Sequence, residues 1–158
     1  MTTIIESRPG TYALILSCTS NARIRIGRLG MMNLQRGYYI YLGSALGPGG
    51  LRARIAHHQK LSPRSHWHID YLRAHTRLRS VWLSYDGRRH EHEWARAIRM
   101  AKDAAVPLLG FGASDCGCSS HLYFFWRCPG WSDCLTFGDS IREIIRPHLL
   151  LSLILRCE

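Results

Sequence analysis

The stretch from Gly37 to His58, GYYIYLGSALGPGGLRARIAHH, constrains the fold more than any other part of the chain. Gly37 to Gly43 crowds aromatic and β-branched residues between two glycines, the pattern of a short buried strand. Ser44 to Gly50 holds small residues and a proline and reads as a loop. Leu51 to Lys60 has helical spacing, with Leu51 and Ile55 four apart. At about 100° per residue, Arg54 and His58 share one helix face, one turn apart. His58 falls close to the Leu51/Ile55 stripe and Arg54 at its edge. A guanidinium and an imidazole therefore leave the helix together, facing the end of a tyrosine-rich strand, where a phosphate could be held. The same residues also fit an ordinary helix with a surface arginine and a core histidine.

The rest of the chain supplies a sheet around this unit. Residues 1–9 read as a loose leader. Thr11 to Cys18, TYALILSC, is a continuous apolar run and reads as a central strand. Ala22 to Arg28 alternates, with Ile24 and Ile26 on one side and arginines mostly on the other, as in a half-buried strand with a basic outer face. A loop over 29–36 leads to the Tyr38–Gly43 strand, so the first three strands predict an antiparallel meander. A second helix is expected over His66–His75 and another strand over Arg79–Tyr85. A third helix is expected from Arg88 to about Lys102, with the apolar stripe Trp94, Ala97, Ile98 and Ala101. Val106 to Ser120 is glycine-rich and irregular, and His121 to Trp126 reads as a last strand. A helix from about Ser140 carries Leu149, Leu150, Leu151, Leu153, Ile154 and Leu155. A stripe this apolar is expected to pack on the domain, on a second copy as a homodimer, or on a partner protein. The expected class is α+β: a small antiparallel sheet flanked by helices, with an inserted β-hairpin strand and a C-terminal helix. Residues 10–127 form the domain and 128–158 the helical tail.

Charge narrows the partner. Formal net charge is +10, and no acidic residue lies between Glu6 and Asp70. Nearly all cations in that interval are arginines, suited to bidentate phosphate contacts. A one-signed field favours a polyanion, and DNA is the expected partner ahead of anionic lipid. Arg23, Arg25, Arg28, Arg52, Lys60 and Arg64 are the candidate DNA contacts. The N-terminus, MTTIIESRPG, has no basic region followed by an apolar run. The longest apolar cluster, Leu149–Leu155, is far short of the ~20 residues a membrane span needs. A cytoplasmic protein with no membrane partner is expected, and its six cysteines are not read as a disulfide framework.

Several fragments together resemble a known superfamily. GTY at 10–12 and YLG at 41–43 stand where GIY-YIG nucleases carry their two motifs, and LRARIAHH at 51–58 is similar to the helix that follows. RIGRLG, YYIYLGSA, HWHIDYL, EHEWA and GFGASDCGCSSHLYF resemble, in the same order, a prokaryotic branch of that superfamily sometimes attached to endonuclease III. The first motif lacks its usual isoleucine, and Tyr12 and Tyr41 are further apart than in compact members, which the hairpin strand at 22–28 explains as an insertion. The resemblance covers roughly residues 10–127. It implies a metal-dependent endonuclease acting on DNA, in repair or on branched, damaged or single-stranded forms. Tyr12, Tyr41, Arg54 and His58 would be the catalytic residues. The metal, Mg²⁺ or Mn²⁺, would be held by Glu91 or alternatively Glu93. Glu91 projects near the edge of the apolar stripe, whereas Glu93-Trp94 matches the order in some members. Either tyrosine could act as general base if the arginine or the metal lowered its pKa from the usual ~10. The alternative is a non-catalytic nucleic-acid-binding module with the same fold, its tyrosines packing residues with satisfied hydroxyls.

Two further groups stand out. Cys116, Cys118 and His121, in DCGCSSH, are close enough in sequence to bind zinc, but C-x-C-x-x-H is not a standard finger spacing. A fourth ligand would have to be His90, His92 or Cys128. We read the segment first as a tight loop with two buried thiols, with zinc as the alternative. His66, His68 and Asp70 do not share a helix face and read as a helix start on the substrate side.

Overall fold

The apolar run at Thr11–Cys18 becomes β1 (Gly10–Cys18), buried along nearly its whole length. In this computed structural model, which describes residues 4–130 and 143–145, β2 (Ala22–Ile26) and β3 (Gly30–Leu34) follow. Then come β4 (Gly37–Ala45), α1 (Gly50–Gln59), α2 (His68–Arg73), β5 (Arg77–Ser84), α3 (Glu91–Arg99), β6 (Leu122–Phe125) and β7 (Glu143–Ile145). The protein is α+β. Its main antiparallel sheet runs β6-β4-β1-β5-β7.

β1 is apolar at every step because both its faces are covered. Strand side chains alternate between faces. Tyr12, Leu14 and Leu16 join Tyr39, Leu51, Ile55, Ile69 and Leu72 on the face under α1 and α2. Ala13 and Ile15 join Ile40, Leu42, Trp82, Trp94 and Ile98 on the face under α3. Each fully buried Leu or Ile contributes about 1.5–3 kcal/mol, so both faces anchor the strand. Gly49 and Gly50, with φ of +81° and +54°, turn the chain from β4 into α1 through a region that β-substituted residues avoid.

Three expectations change. The segment expected as a loop over 29–36 contains β3, which pairs with β2 in a separate two-stranded ribbon. Met32 and Leu34 are buried while Met31 and Asn33 are exposed, a period-two pattern too short to stand out between glycines. The meander therefore does not form. β1 pairs directly with β4, and the insertion is a complete hairpin. It packs on α2, with Ile24 and Ile26 inward and Arg23 and Arg25 outward. In the tail, residues 143–145 pair with β5 as a strand where a helix from about Ser140 was expected. The remainder of that expected helix lies outside the described residues.

Candidate active site

β6 stops short of the end of β4. Its pairing ends at Tyr41 opposite Leu122, followed by one bond in which the Leu42 N–H donates to the His121 carbonyl at 2.9 Å. Among the described residues, Gly43–Ala45 has a strand partner only on the β1 side. A cleft of about 300 Å³ opens there, and residues from both faces of the sheet reach it.

Tyr12 and Tyr41 enter from the α1 face. The register sets Tyr12 opposite Gly43 and Tyr41 opposite Leu14, so the two rings are diagonal neighbours with centroids 6.4 Å apart. A Cβ on Gly43 would collide with the Tyr12 ring. The glycine of YLG is thus what lets Tyr12 lie across β4. The Tyr12 hydroxyl is hydrogen-bonded to His58 Nε2 at 2.7 Å. His58 is 1% exposed, and its Nδ1 has no hydrogen-bond partner. Burial foremost, helped by His57 and Arg54, pushes His58 down to about 3. The imidazole is therefore neutral near neutral pH.

Burial also governs the phenols. It raises Tyr12 well above the ordinary tyrosine value, Tyr41 adds to the rise, and the opposing pull of Arg54 is outweighed. Tyr41 is pushed up to about 12 by burial, again against Arg54. The expectation that Arg54 could prepare a tyrosine base is not met by Arg54 alone, because removing a phenolate from water costs more than one half-exposed guanidinium returns.

Arg54 projects from α1 at the edge of the cleft, its guanidinium 4.4 Å from the Trp67 ring centroid. Such a contact is worth about 0.5–2 kcal/mol and limits where the head group can go. Trp67 is fixed in turn by Asp70, which accepts from the His66 and Trp67 backbone N–H groups at 2.9 Å each. Asp70 Oδ1 also lies 3.1 Å from His57 Nε2. Burial alone would raise the Asp70 carboxyl, but these donors hold it below its ordinary value. His66 is exposed, while His68 Nδ1 accepts from the Gly112 N–H at 3.0 Å. The 66–70 turn thus braces the cleft wall.

The carboxylate comes from the opposite face. Glu91 opens α3, is 6% exposed and lines the cleft, and the Ser44 hydroxyl donates to it. The Glu93 side chain is 63% exposed and lies 3.0 Å from His90 Nδ1, outside the cleft. Of the two candidate carboxylates, Glu91 is the one beside Tyr12, Tyr41, Arg54 and His58. Arg23, Arg25, Arg28, Arg52, Lys60 and Arg64 are all exposed and none lines the cleft.

Cys116 and His121 line the far wall. With Cys118 they meet His92 of α3, and the four donor atoms all lie within 4.8 Å of one another. The thiols are half-buried, not enclosed as expected. His90 is engaged by Asp86 and Glu93, and Cys128 is exposed.

A family model described as "Domain of unknown function DUF123" matches residues 11–137. The chain belongs to this family. The DUF123 match begins inside β1 and takes in the whole cleft, the hairpin and the Cys/His group. No curated protein and no solved structure matches the chain. Within the DUF123 region, the sequence grouped Asp115 with Cys116, Cys118 and His121 but gave no sign that Trp67 and Arg89 line the cleft or that Asp70 is the brace behind Trp67. No local spacing links Trp67 to Arg54. Only the fold between α1 and α2 brings them together.

Proposed function

We propose that this protein is a divalent-metal-dependent endonuclease that hydrolyses DNA phosphodiester bonds, in repair or in the processing of branched or damaged DNA. The observation that carries this reading is the convergence of Tyr12, Tyr41, Arg54, His58 and Glu91 on one open cleft, from β1, β4, α1 and α3. It agrees with the resemblance to GIY-YIG nucleases, whose motifs would supply these same residues.

Arg54 offers a fixed fork of donors to a phosphate in the cleft. Because Trp67 restrains it beforehand, it can stabilise charge that builds on the phosphoryl oxygens without reorganising. The Tyr41 hydroxyl has no hydrogen-bond partner among the described residues and faces the cleft, so it can orient a water or a phosphate oxygen. Tyr12 is coupled to His58, and the pair can pass a proton from the cleft toward the imidazole. A bound phosphate's negative charge would raise the proton affinity of His58, opposing the effect of burial.

Glu91 fits a hard divalent cation: one carboxylate, steadied by Ser44, on the wall of an open cleft that leaves room for water and phosphate oxygens. Mg²⁺ or Mn²⁺ held there would polarise a phosphate oxygen and lower the pKa of nearby water or phenol.

The second reading, a nucleic-acid-binding module without chemistry, draws on the high proton affinity of both phenols. Flap, fork, junction, single-stranded and duplex DNA, incubated with the protein and Mg²⁺ or Mn²⁺, separate the two. Cleavage of at least one substrate, lost on chelation and restored by Mg²⁺ or Mn²⁺, is expected. Binding without cleavage across the whole panel would leave the module.

A further inference from the structure

We propose that His92, Cys116, Cys118 and His121 hold one zinc ion that ties the start of α3 to the loop before β6. This inference does not depend on the nuclease reading. Zinc takes thiolate at about 2.3 Å and imidazole at about 2.0–2.1 Å, so at tetrahedral angles a sulfur and a nitrogen ligand stand about 3.5 Å apart. His92 Nδ1 lies 3.2 Å from Cys118 Sγ, and Cys116 Sγ lies 3.5 Å from His121 Nε2. Those two sulfur–nitrogen distances are near the tetrahedral value, and all four donor atoms lie within 4.8 Å of one another, close enough for one ion to draw them together. Two sulfurs and two nitrogens, with no carboxylate among them, make the closed, soft set that structural zinc prefers.

The surroundings fit the same role. His121 is buried and fixed at both ends of its backbone: its N–H donates to the Phe111 carbonyl at 2.7 Å and its carbonyl accepts from Leu42. His92 turns Nδ1 toward the sulfurs and Nε2 toward Glu91 Oε1, 3.9 Å away. The segment between α3 and β6 has no helix and only one isolated bridge, Ala105 to Phe124. Phe111 in the core and turn hydrogen bonds such as Gly110 N–H to the Ser119 carbonyl already shape this loop, and a metal cross-link would tie it to α3 as well. The cluster adjoins the cleft, so the ion would also steady the backbone beneath Glu91.

The test is metal content, which needs no cleavage. Protein purified without chelator under reducing conditions should carry about one equivalent of zinc. Replacement with Co²⁺ should give the visible bands of a tetrahedral site and a sulfur-to-cobalt charge-transfer band. Cys116→Ser with Cys118→Ser should lose the metal and the charge-transfer band, and His92→Gln should weaken zinc retention against a chelator. Cys128→Ser should keep the full equivalent. If the double variant does not fold, titration of the stripped, reduced wild-type protein with Co²⁺ decides, read by the same charge-transfer band. Wild-type protein that takes up no zinc or Co²⁺ when reconstituted, or a folded double variant that keeps its equivalent, would overturn the proposal.

Discussion

Arg54 and His58 are one turn apart on α1, and that spacing was legible because a helix turns about 100° per residue. What the spacing could not show is that the Arg54 head group rests on Trp67, since no periodic rule connects two elements across a turn. Arg54→Ala is expected to lower cleavage by about 10²–10³, the scale for one preorganised donor, with a much smaller loss of DNA binding. Trp67→Ala should lower it less, by a few-fold to about thirtyfold, the equivalent of about 0.5–2 kcal/mol. Single-turnover rates beside binding curves check both, and equal losses of rate and affinity would mean that Arg54 serves binding alone. His58 gives a second expectation, on stability. Its folded pKa of about 3 lies below the ~6.5 of an unfolded histidine. Between those values the unfolded chain binds more protons, so stability falls as pH drops through that window. This one group contributes at most about 1.4 kcal/mol per pH unit. Urea unfolding of wild type and His58→Gln from about pH 7 to about pH 4 isolates its share. Parallel slopes would show that the imidazole does not stay neutral in the fold.

α3 decides which carboxylate serves the cleft. The helix begins at Glu91, three residues later than its sequence pattern suggested, yet Glu91 still turns inward and Glu93 outward. Glu91→Gln is expected to abolish cleavage and its dependence on Mg²⁺, while Glu93→Gln retains both. Titration of rate against Mg²⁺ for each variant settles the matter, and loss confined to Glu93→Gln would reverse the assignment. Long or strongly patterned elements were the legible ones: β1, β4, α1 and α3 lie close to where their sequences place them. β3 was not, because two buried positions in GMMNL do not distinguish a strand from a loop. The Cys/His group was half legible. Three of its members share one loop, but His92 was one of three candidate fourth ligands, chosen only by the folding of α3 over the sheet.

The molecule as a whole carries its charge apart from its chemistry. Of the candidate DNA contacts, Arg23, Arg25 and Arg28 lie on the hairpin, Arg52 on α1, and Lys60 and Arg64 just after it, while within the cleft itself the cations are Arg54 and Arg89. Affinity for DNA should therefore fall steeply with salt, with a log–log slope of magnitude about 0.7–0.9 per phosphate neutralised. Arg23→Ala with Arg25→Ala should flatten that slope more than it slows cleavage of bound DNA. Fluorescence anisotropy across a salt series provides the check, and affinity unchanged by salt would remove the hairpin as a DNA contact. The placement of β1 has another consequence, in time. Its partners are all late: β4 starts at Gly37 and β5 at Arg77, so the strand at the middle of the sheet is synthesised before either neighbour exists. The β2–β3 hairpin can close within microseconds, but it gives β1 nothing to pair with. Until the chain has passed Ser84, one or both edges of its most apolar strand stay available to other nascent chains. Refolding yield should accordingly fall as protein concentration rises, even where the finished fold is stable.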